Sequence, residues 1–268
     1  MSQHSSMPSF SEVINSIKTT GDQVSTVTVS ENWMQGRTTY GGMSAALCFQ
    51  AVVNNYSDLP PIRSAQVNFV GPVGGEVTVS TKIMRQGRSV TYVSAEMIGE
   101  KGLATHAVFC FGSARTSRIN RDFTAKPSVA DVEDSEGFFN SGFGPSFANN
   151  YDCLLAHGGH PISGSDASEH FIWVRHKDKH ANNLAALIGI ADMPPPAVLP
   201  MFKEFAPISS MTWMMNFLKE DISTEDGWWL MRSAADHSRD GYSSQDMQVW
   251  NKARELVISA RQNVAVFY

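Results

Sequence analysis

Four segments between residues 62 and 112 show the patterns of hydrophobic and polar residues that are typical of β-strands. We predict strands over 62–70, 75–86, 89–99 and 102–112, with turns at Gly71-Pro72, Gly74-Gly75, Gly87 and Gly102. A strand over 22–29 and an Ala-rich helix over 40–54 precede them. Because this helix is apolar nearly all round, it should be buried, and the pattern predicts an antiparallel sheet curled around it.

The same order of elements recurs in the second half of the chain. We predict a strand over 170–176, a helix over 182–192, and strands over 208–218, 227–239, 242–250 and 255–267. The segment RSAQVNFV is similar to SSMTWMMNFL, and ATHAVFCF aligns with ARQNVAVF, which places His106 opposite Gln262. We interpret this similarity as an internal duplication. The predicted units are residues 1–112 and 167–268, and the Ser- and Gly-rich segment 113–166 is predicted to be a surface linker.

Composition and charge exclude several classes of protein. The chain has 268 residues, 42% of them hydrophobic, which is a globular composition, and its net charge is −5 without a basic cluster. Nucleic acid is therefore not an expected partner, and no apolar stretch reaches the ~20 residues that a membrane span needs. The N-terminus lacks the pattern of a signal peptide, and three widely spaced cysteines predict neither a disulfide framework nor a metal site. We expect a cytoplasmic protein.

Gln262 is the most informative polar residue in the predicted strands. Leu256, Ile258, Ala260, Val264 and Val266 share its alternating face, so this face should be buried with Gln262 as its polar member. A buried amide without a hydrogen bond costs roughly 1–3 kcal/mol, and such a cost is tolerated more readily where the group has a function. A structural glutamine bonded to a neighbouring strand fits the same pattern.

Other candidate residues lie at helix ends and on strands. Gly41 and Gly42 begin the first helix, where free N–H groups favour developing negative charge, although close packing of the helix also explains two glycines. Asp192 ends the second helix, where the helix dipole is unfavourable for a carboxylate, so a compensating partner or a function is expected. The hydroxyl of Ser233 could face a cavity. A lone histidine such as His106 is more often structural.

The sequence resembles the acyl-CoA thioesterase II family, whose members are double-hotdog thioesterases. The resemblance is carried by WMQGRTTYGGMSAAL and RSAQVNFVGPV in the first half, and by HFIWVRHKD, ALIGIADMPP, SSMTWMMNFL and ARQNVAVF in the second. It implies an α+β tandem hotdog, in which an antiparallel sheet wraps each long helix. It also implies hydrolysis of a fatty acyl-CoA by an activated water, without a metal or another cofactor.

The resemblance further implies a polar trio in the second hotdog: an Asp on the strand after the helix, a Thr or Ser on the next strand, and a Gln on the last strand. The Gln matches Gln262 and the hydroxyl maps near Ser233, but the Asp position falls on Thr212. Threonine cannot act as a general base, so another carboxylate would have to substitute, with Asp192 and Asp236 as candidates. Alternatively, a site in the first hotdog would use Tyr40, Gly41, Gly42 and His106.

Three functions are compatible with the sequence. The leading hypothesis is a cytoplasmic, homodimeric thioesterase that hydrolyses acyl-CoA, with Gln262, Thr212, Ser233 and Asp192 around the water. The absence of the family's Asp favours a second hypothesis, a non-catalytic protein that binds acyl-CoA. A third is a hotdog enoyl-CoA hydratase or dehydratase that uses His106 with Glu96.

Overall fold

A computed structural model of the protein describes residues 7–139 and 144–268. The helices are α1 (Phe10–Asn15), α2 (Gly41–Asn55) and α3 (Leu184–Ala191). The strands are β1 (Lys18–Gly21), β2 (Val24–Val29), β3 (Met34–Gln35), β4 (Thr38–Thr39), β5 (Ile62–Phe69), β6 (Gly75–Gln86), β7 (Val90–Gly99), β8 (Gly102–Gly112), β9 (Glu136–Gly137), β10 (Tyr151–Gly158), β11 (Glu169–His176), β12 (Ile208–Phe217), β13 (Trp229–Arg239), β14 (Tyr242–Asn251) and β15 (Leu256–Val266).

In the described part of the chain, thirteen of the strands form one antiparallel sheet in the order β1-β2-β6-β7-β8-β5-β12-β15-β14-β13-β11-β10-β9. Read outward from the central β5–β12 pair, β8, β7, β6 and β2 on one side correspond to β15, β14, β13 and β11 on the other. Both halves therefore share one topology, as the repeated order of elements predicts. The α+β tandem hotdog is confirmed, with α2 packed on β6–β8 and α3 on β11.

Burial of small residues explains the central position of the two helices. Ten of the fifteen residues of α2 are buried, as are seven of the eight residues of α3. The N-terminal end of α2 lies against the C-terminal end of α3, since an added Cβ at Gly42 would stand 2.2 Å from the carbonyl oxygen of Gly189. Because Gly42 has no side chain, the two helix ends approach each other more closely than any other residue at position 42 would allow.

The segment 113–166 differs from the predicted surface linker. Its residues 151–158 form β10, which pairs with β11 along its length, and β9 pairs with β10 at the sheet edge. Phe138, Phe147 and Tyr151 are buried in the core. This segment therefore contributes strands and core to the second half of the sheet. None of the helices in the described residues is long and apolar enough to cross a membrane.

Candidate active site

The carboxylate of Asp192 lies where the two helices meet. Asp192 is the C-cap residue of α3, with φ −93° and ψ 2°, in a backbone region where active-site residues often occur. The backbone N–H of Gly42, in the first turn of α2, lies close enough to this carboxylate to lower its pKa. The N-terminal dipole of α2 therefore offsets the unfavourable C-terminal dipole of α3. This contact is the compensating partner that a carboxylate at the end of α3 requires.

A chain of hydrogen bonds fixes the direction of the Gln262 amide. The backbone N–H of Ala197 donates to Gln245 Oε1 at 2.8 Å, so Gln245 must present its Nε2 to the other side. Gln245 Nε2 donates to Gln262 Oε1 at 3.0 Å, and Gln262 Nε2 donates to Asp192 Oδ1 at 2.8 Å. Because a backbone N–H can only donate, it sets the orientation of both amides. Gln262 therefore acts as a donor toward the Asp192 carboxylate.

Burial raises the pKa of Asp192 to about 7, and the hydrogen bond from Gln262 and the nearby N–H of Gly42 act in the opposite direction. Desolvation penalises the charged carboxylate, whereas donors favour it. The pKa of the group consequently lies near neutral pH, where a carboxylate is ionised in a useful fraction and is still basic enough to accept a proton. Asp192 thus has the electrostatic properties of a general base.

Two clefts meet at Asp192. One has a volume of about 520 Å³ and is lined mainly by apolar side chains, among them Phe147, Met193 and the prolines that follow it; we call it the apolar cleft. The other has a volume of about 280 Å³ and is lined by the hydroxyl residues Thr38, Thr39, Ser44, Thr105 and Ser209; we call it the hydroxyl-lined cleft. Both clefts are lined by Gln35, Asp192, Ile208 and Ser210. The carboxylate therefore borders two environments of different polarity.

A β-bulge in β12 brings Ser210 to this junction. Trp213 pairs with Gln262 and Ser210 pairs with Val264, so one extra residue, Met211, lies between the two pairs. The bulge reverses the alternation of inward-facing and outward-facing side chains along β12. Ser210 therefore faces inward, where it lines both clefts. Thr212, by contrast, is exposed on the opposite face of the sheet. The predicted role of Thr212 beside Gln262 is therefore wrong, and Ser210 is the hydroxyl residue that accompanies Asp192 and Gln262.

The predicted site in the first hotdog is not assembled. The Tyr40 hydroxyl is buried and donates to the carbonyl oxygen of Gly189 at 2.7 Å, so Tyr40 joins α2 to α3, and it lines neither of the two clefts. His106 lies on the outer face of the sheet and pairs in register with Glu96. Thr105, one residue earlier, is the buried residue that lines the hydroxyl-lined cleft. The hydratase hypothesis thus lacks its His–Glu pair inside a cavity.

The other predicted residues have mixed outcomes. Gly41 lines the hydroxyl-lined cleft, where an added Cβ would lie 2.6 Å from Asp192 Oδ2. The N–H of Gly42 lies close enough to the Asp192 carboxylate to lower its pKa. Ser233 is fully buried opposite His170 and lines neither cleft, and its hydroxyl has no hydrogen-bond partner among residues 7–139 and 144–268. Asp236 is exposed and forms an ion pair with Arg261, so it cannot replace Asp192.

Sequence reasoning missed Gln245 and Ser210. Gln245 shares the buried face of β14 with Met247 and Val249, so the alternation that identified Gln262 could also have identified it. The alternation along β12 gives Ser210 the wrong face, because nothing in the sequence marks the bulge at Met211.

The chain belongs to the acyl-CoA thioesterase family. Residues 29–112 match the acyl-CoA thioesterase N-terminal domain, and residues 124–266 match the acyl-CoA thioesterase C-terminal domain. The match to the second domain begins within the segment that the sequence predicts to be a linker. A comparison with the curated proteins gives no match.

Solved structures share the fold at low sequence identity. A conserved protein of unknown function with a hotdog fold from Alicyclobacillus acidocaldarius has a TM-score of 0.84 at 20% identity, covering 97% of this chain and 98% of that chain. An acyl-CoA thioesterase II, TesB2, from Mycobacterium marinum has a TM-score of 0.77 at 16% identity, covering 96% of this chain and 98% of that chain. The tesB protein of Mycobacterium avium subsp. paratuberculosis has a TM-score of 0.76 at 11% identity, with coverage of 96% and 99%.

Proposed function

We propose that this protein hydrolyses acyl-CoA thioesters with Asp192 as the general base. The observation that supports this most directly is the Asp192 carboxylate, whose pKa is raised by burial to about 7 and which a hydrogen bond from Gln262 holds at the junction of two clefts. The family assignment supports the same reaction class. A base of this pKa suits proton abstraction from water at neutral pH.

The reaction follows from the donors and acceptors around this carboxylate. Asp192 accepts a proton from a water molecule while the water oxygen forms a bond to the thioester carbonyl carbon. One hydrogen of Gln262 Nε2 bonds Asp192, and the second hydrogen, with the Ser210 hydroxyl, is available to orient the water or the developing oxyanion. The carbon–sulfur bond then breaks, and the proton on Asp192 passes to the thiolate sulfur, which yields the free acid and CoA.

The two clefts suit the two arms of a thioester. We assign the acyl group to the apolar cleft, where transfer from water is favourable. We assign the pantetheine arm, which carries amides and a hydroxyl, to the hydroxyl-lined cleft, where Thr38, Ser44 and Thr105 can bond to it. Arg37 is exposed between Gln35 and Thr38, so it is placed to meet the phosphates of CoA outside this cleft. The scissile bond then lies beside Asp192.

The proposal is tested by the release of free thiol from a panel of acyl-CoAs. We expect turnover by the unmodified protein and a decrease of about 10²–10⁴-fold in Asp192→Asn, the range usual for the loss of a general base. Asp236→Asn is the matched control, since Asp236 is exposed and lines neither cleft, and it should keep full activity. Equal turnover by Asp192→Asn would refute the assigned base. If the unmodified protein binds acyl-CoA but does not hydrolyse it, the hypothesis of a non-catalytic protein that binds acyl-CoA is supported instead.

We also propose that the protein acts as a homodimer in the cytoplasm, without a metal or another cofactor. The cysteines Cys48, Cys110 and Cys153 are all free, which suits a reducing compartment. Met211 and Met214 expose 39% and 40% of their surfaces on β12, so this part of the sheet could be covered by a second chain. Light scattering coupled to size-exclusion chromatography would give the mass, and a monomer at micromolar concentration would refute the dimer.

A further inference from the structure

Gln35 lies at the junction of the two clefts, beside the groups of the proposed reaction. Both clefts are lined by Gln35, Asp192, Ile208 and Ser210. Asp192 and Ser210 take part in the proposed reaction, and Ile208 is apolar. Gln35 is a polar residue at the same junction, and the reaction as described above leaves its amide without a function.

A short hairpin holds Gln35 in this position. Gln35 ends β3 and pairs in register with Thr38 of β4, and Gly36 in the turn has a φ of +62°, which glycine adopts without strain. Val73 fixes β4, because its N–H donates to Thr38 Oγ1 at 3.0 Å and its carbonyl oxygen accepts from the N–H of Thr39 at 2.6 Å. Since Val73 also lines the hydroxyl-lined cleft, the hairpin is attached to the wall of that cleft.

The amide of Gln35 is available to a ligand. The residue is exposed, and no group that the structure describes forms a hydrogen bond with its side chain. An amide side chain carries two N–H donors and a carbonyl acceptor. A thioester that extends from one cleft into the other therefore meets a hydrogen-bond donor that it does not have to release from another partner.

The proposed reaction needs hydrogen-bond donors at two different atoms, the attacking water and the carbonyl oxygen of the thioester. Water attacks the carbonyl carbon from above or below the plane of the carbonyl group, whereas the oxygen lies in this plane. Donors that orient the water are therefore poorly directed toward the oxygen. Asp192, Ser210 and Gln262 all belong to the second hotdog, while the hairpin brings Gln35 from the first hotdog to the same junction.

We propose that Gln35 Nε2 donates a hydrogen bond to the thioester carbonyl oxygen and stabilises the negative charge that develops there. The proposal rests on the reaction proposed for Asp192 and adds a catalytic residue to it. When water adds to the carbonyl carbon, the oxygen becomes an oxyanion, and a donor that is already in place lowers the barrier. Ser210 and Gln262 then orient the water. The first hotdog thus completes a site whose base lies in the second.

The substitution Gln35→Met tests the kinetic part of the proposal. Methionine keeps the length and flexibility of the side chain but cannot donate a hydrogen bond. Removing one donor to an oxyanion costs about 10²–10³ in kcat, and we expect a decrease in this range with little change in KM. The midpoint of the pH dependence of kcat/KM should stay the same, because Asp192 is unaltered. Gln86→Met, at an exposed glutamine that lines neither cleft, is the matched control and should be neutral.

The infrared spectrum of a bound acyl-CoA labelled with ¹³C at the thioester carbonyl tests the contact itself. The spectrum is recorded on Asp192→Asn, in which hydrolysis is slow, with and without Gln35→Met. Because a hydrogen bond to a carbonyl oxygen lowers its stretching frequency, we expect a lower frequency where Gln35 is present.

Three results would overturn the proposal: equal frequencies in these two variants, an unchanged kcat in Gln35→Met, or a moved pH midpoint, which would mean that the substitution acts through Asp192. If the unmodified protein binds acyl-CoA but hydrolyses none of it, the proposed reaction fails. A frequency that depends on Gln35 would then still support the hydrogen bond to the carbonyl oxygen, and equal frequencies would still overturn it.

Discussion

Substituting Gly41 by alanine tests the position of the Asp192 carboxylate without changing its chemistry. The added Cβ would lie 2.6 Å from Asp192 Oδ2, whereas ordinary contacts begin at 3.4 Å, so the oxygen must retreat by about 0.8 Å. The ring of Phe69 at 3.0 Å blocks the alternative of moving the Cβ away. Misplacing a reacting group by 1 Å costs about 10²-fold in rate, so we expect kcat to fall about a hundredfold with a small change in KM.

The assay is steady-state release of free thiol, with a thermal melt to confirm folding. Gly137→Ala is a matched control, because its Cβ would meet no atom within 4 Å, and it should be neutral in both measurements. Gly42→Ala should instead fail to fold normally, because its Cβ would lie 2.2 Å from the backbone oxygen of Gly189. A folded Gly41→Ala variant with unchanged kcat would refute the proposed position of the base.

Three further predictions concern buried polar side chains. Burial lowers the pKa of His170 to about 4, below the 6.5 of the unfolded chain, so its contribution to stability is complete above pH 6.5 and decreases as the pH falls toward 4. Denaturant titrations at pH 7.5 and pH 5 give the free energy of unfolding that is lost between these two pH values. This loss should be about 2 kcal/mol smaller in His170→Phe than in the unmodified protein, and equal losses would refute the prediction. Tyr40→Phe removes the hydrogen bond to the carbonyl oxygen of Gly189 and should lower the free energy of unfolding by about 1 kcal/mol in the same titration. Its kcat should be unchanged, and a tenfold loss of kcat would indicate that Tyr40 takes part in the reaction. Gln245→Leu removes the donor that orients Gln262, so kcat should fall at least tenfold in the thiol assay, and an unchanged kcat would show that the orientation does not matter.

The elements of the fold are predictable because their hydrophobic patterns are regular. The ends of α2 and of most strands lie within about two residues of the predicted bounds, since Gly and Pro mark the turns. Strand β10 escapes prediction because it lies in a Ser- and Gly-rich segment without a clear alternation. Its place in the sheet depends on pairing with β11, which is a tertiary contact.

The sequence identifies site residues where a strand alternates regularly or where a helix ends. Gln262 is identified by the alternation of β15, and Asp192 by the dipole at the end of α3. His106 is misplaced because its strand is apolar on both faces, so alternation cannot assign its direction. The bulge at Met211 turns Ser210 to the inner face while Thr212 stays on the outer face, and this bulge depends on pairing with β15. The contact between Asp192 and the first turn of α2 follows from helix packing, which no local pattern reveals.

The central claim is that Asp192 acts as a base whose pKa burial has raised to about 7. The most direct test is the pH dependence of kcat/KM for a medium-chain acyl-CoA between pH 5 and 9. We predict a plateau above neutral pH and a tenfold decrease per unit below a midpoint near 7, which leaves about 1% of the plateau at pH 5. Residual activity of Asp192→Asn should lack this midpoint. A flat profile down to pH 5 in the unmodified protein, or the same midpoint in Asp192→Asn, would contradict the account.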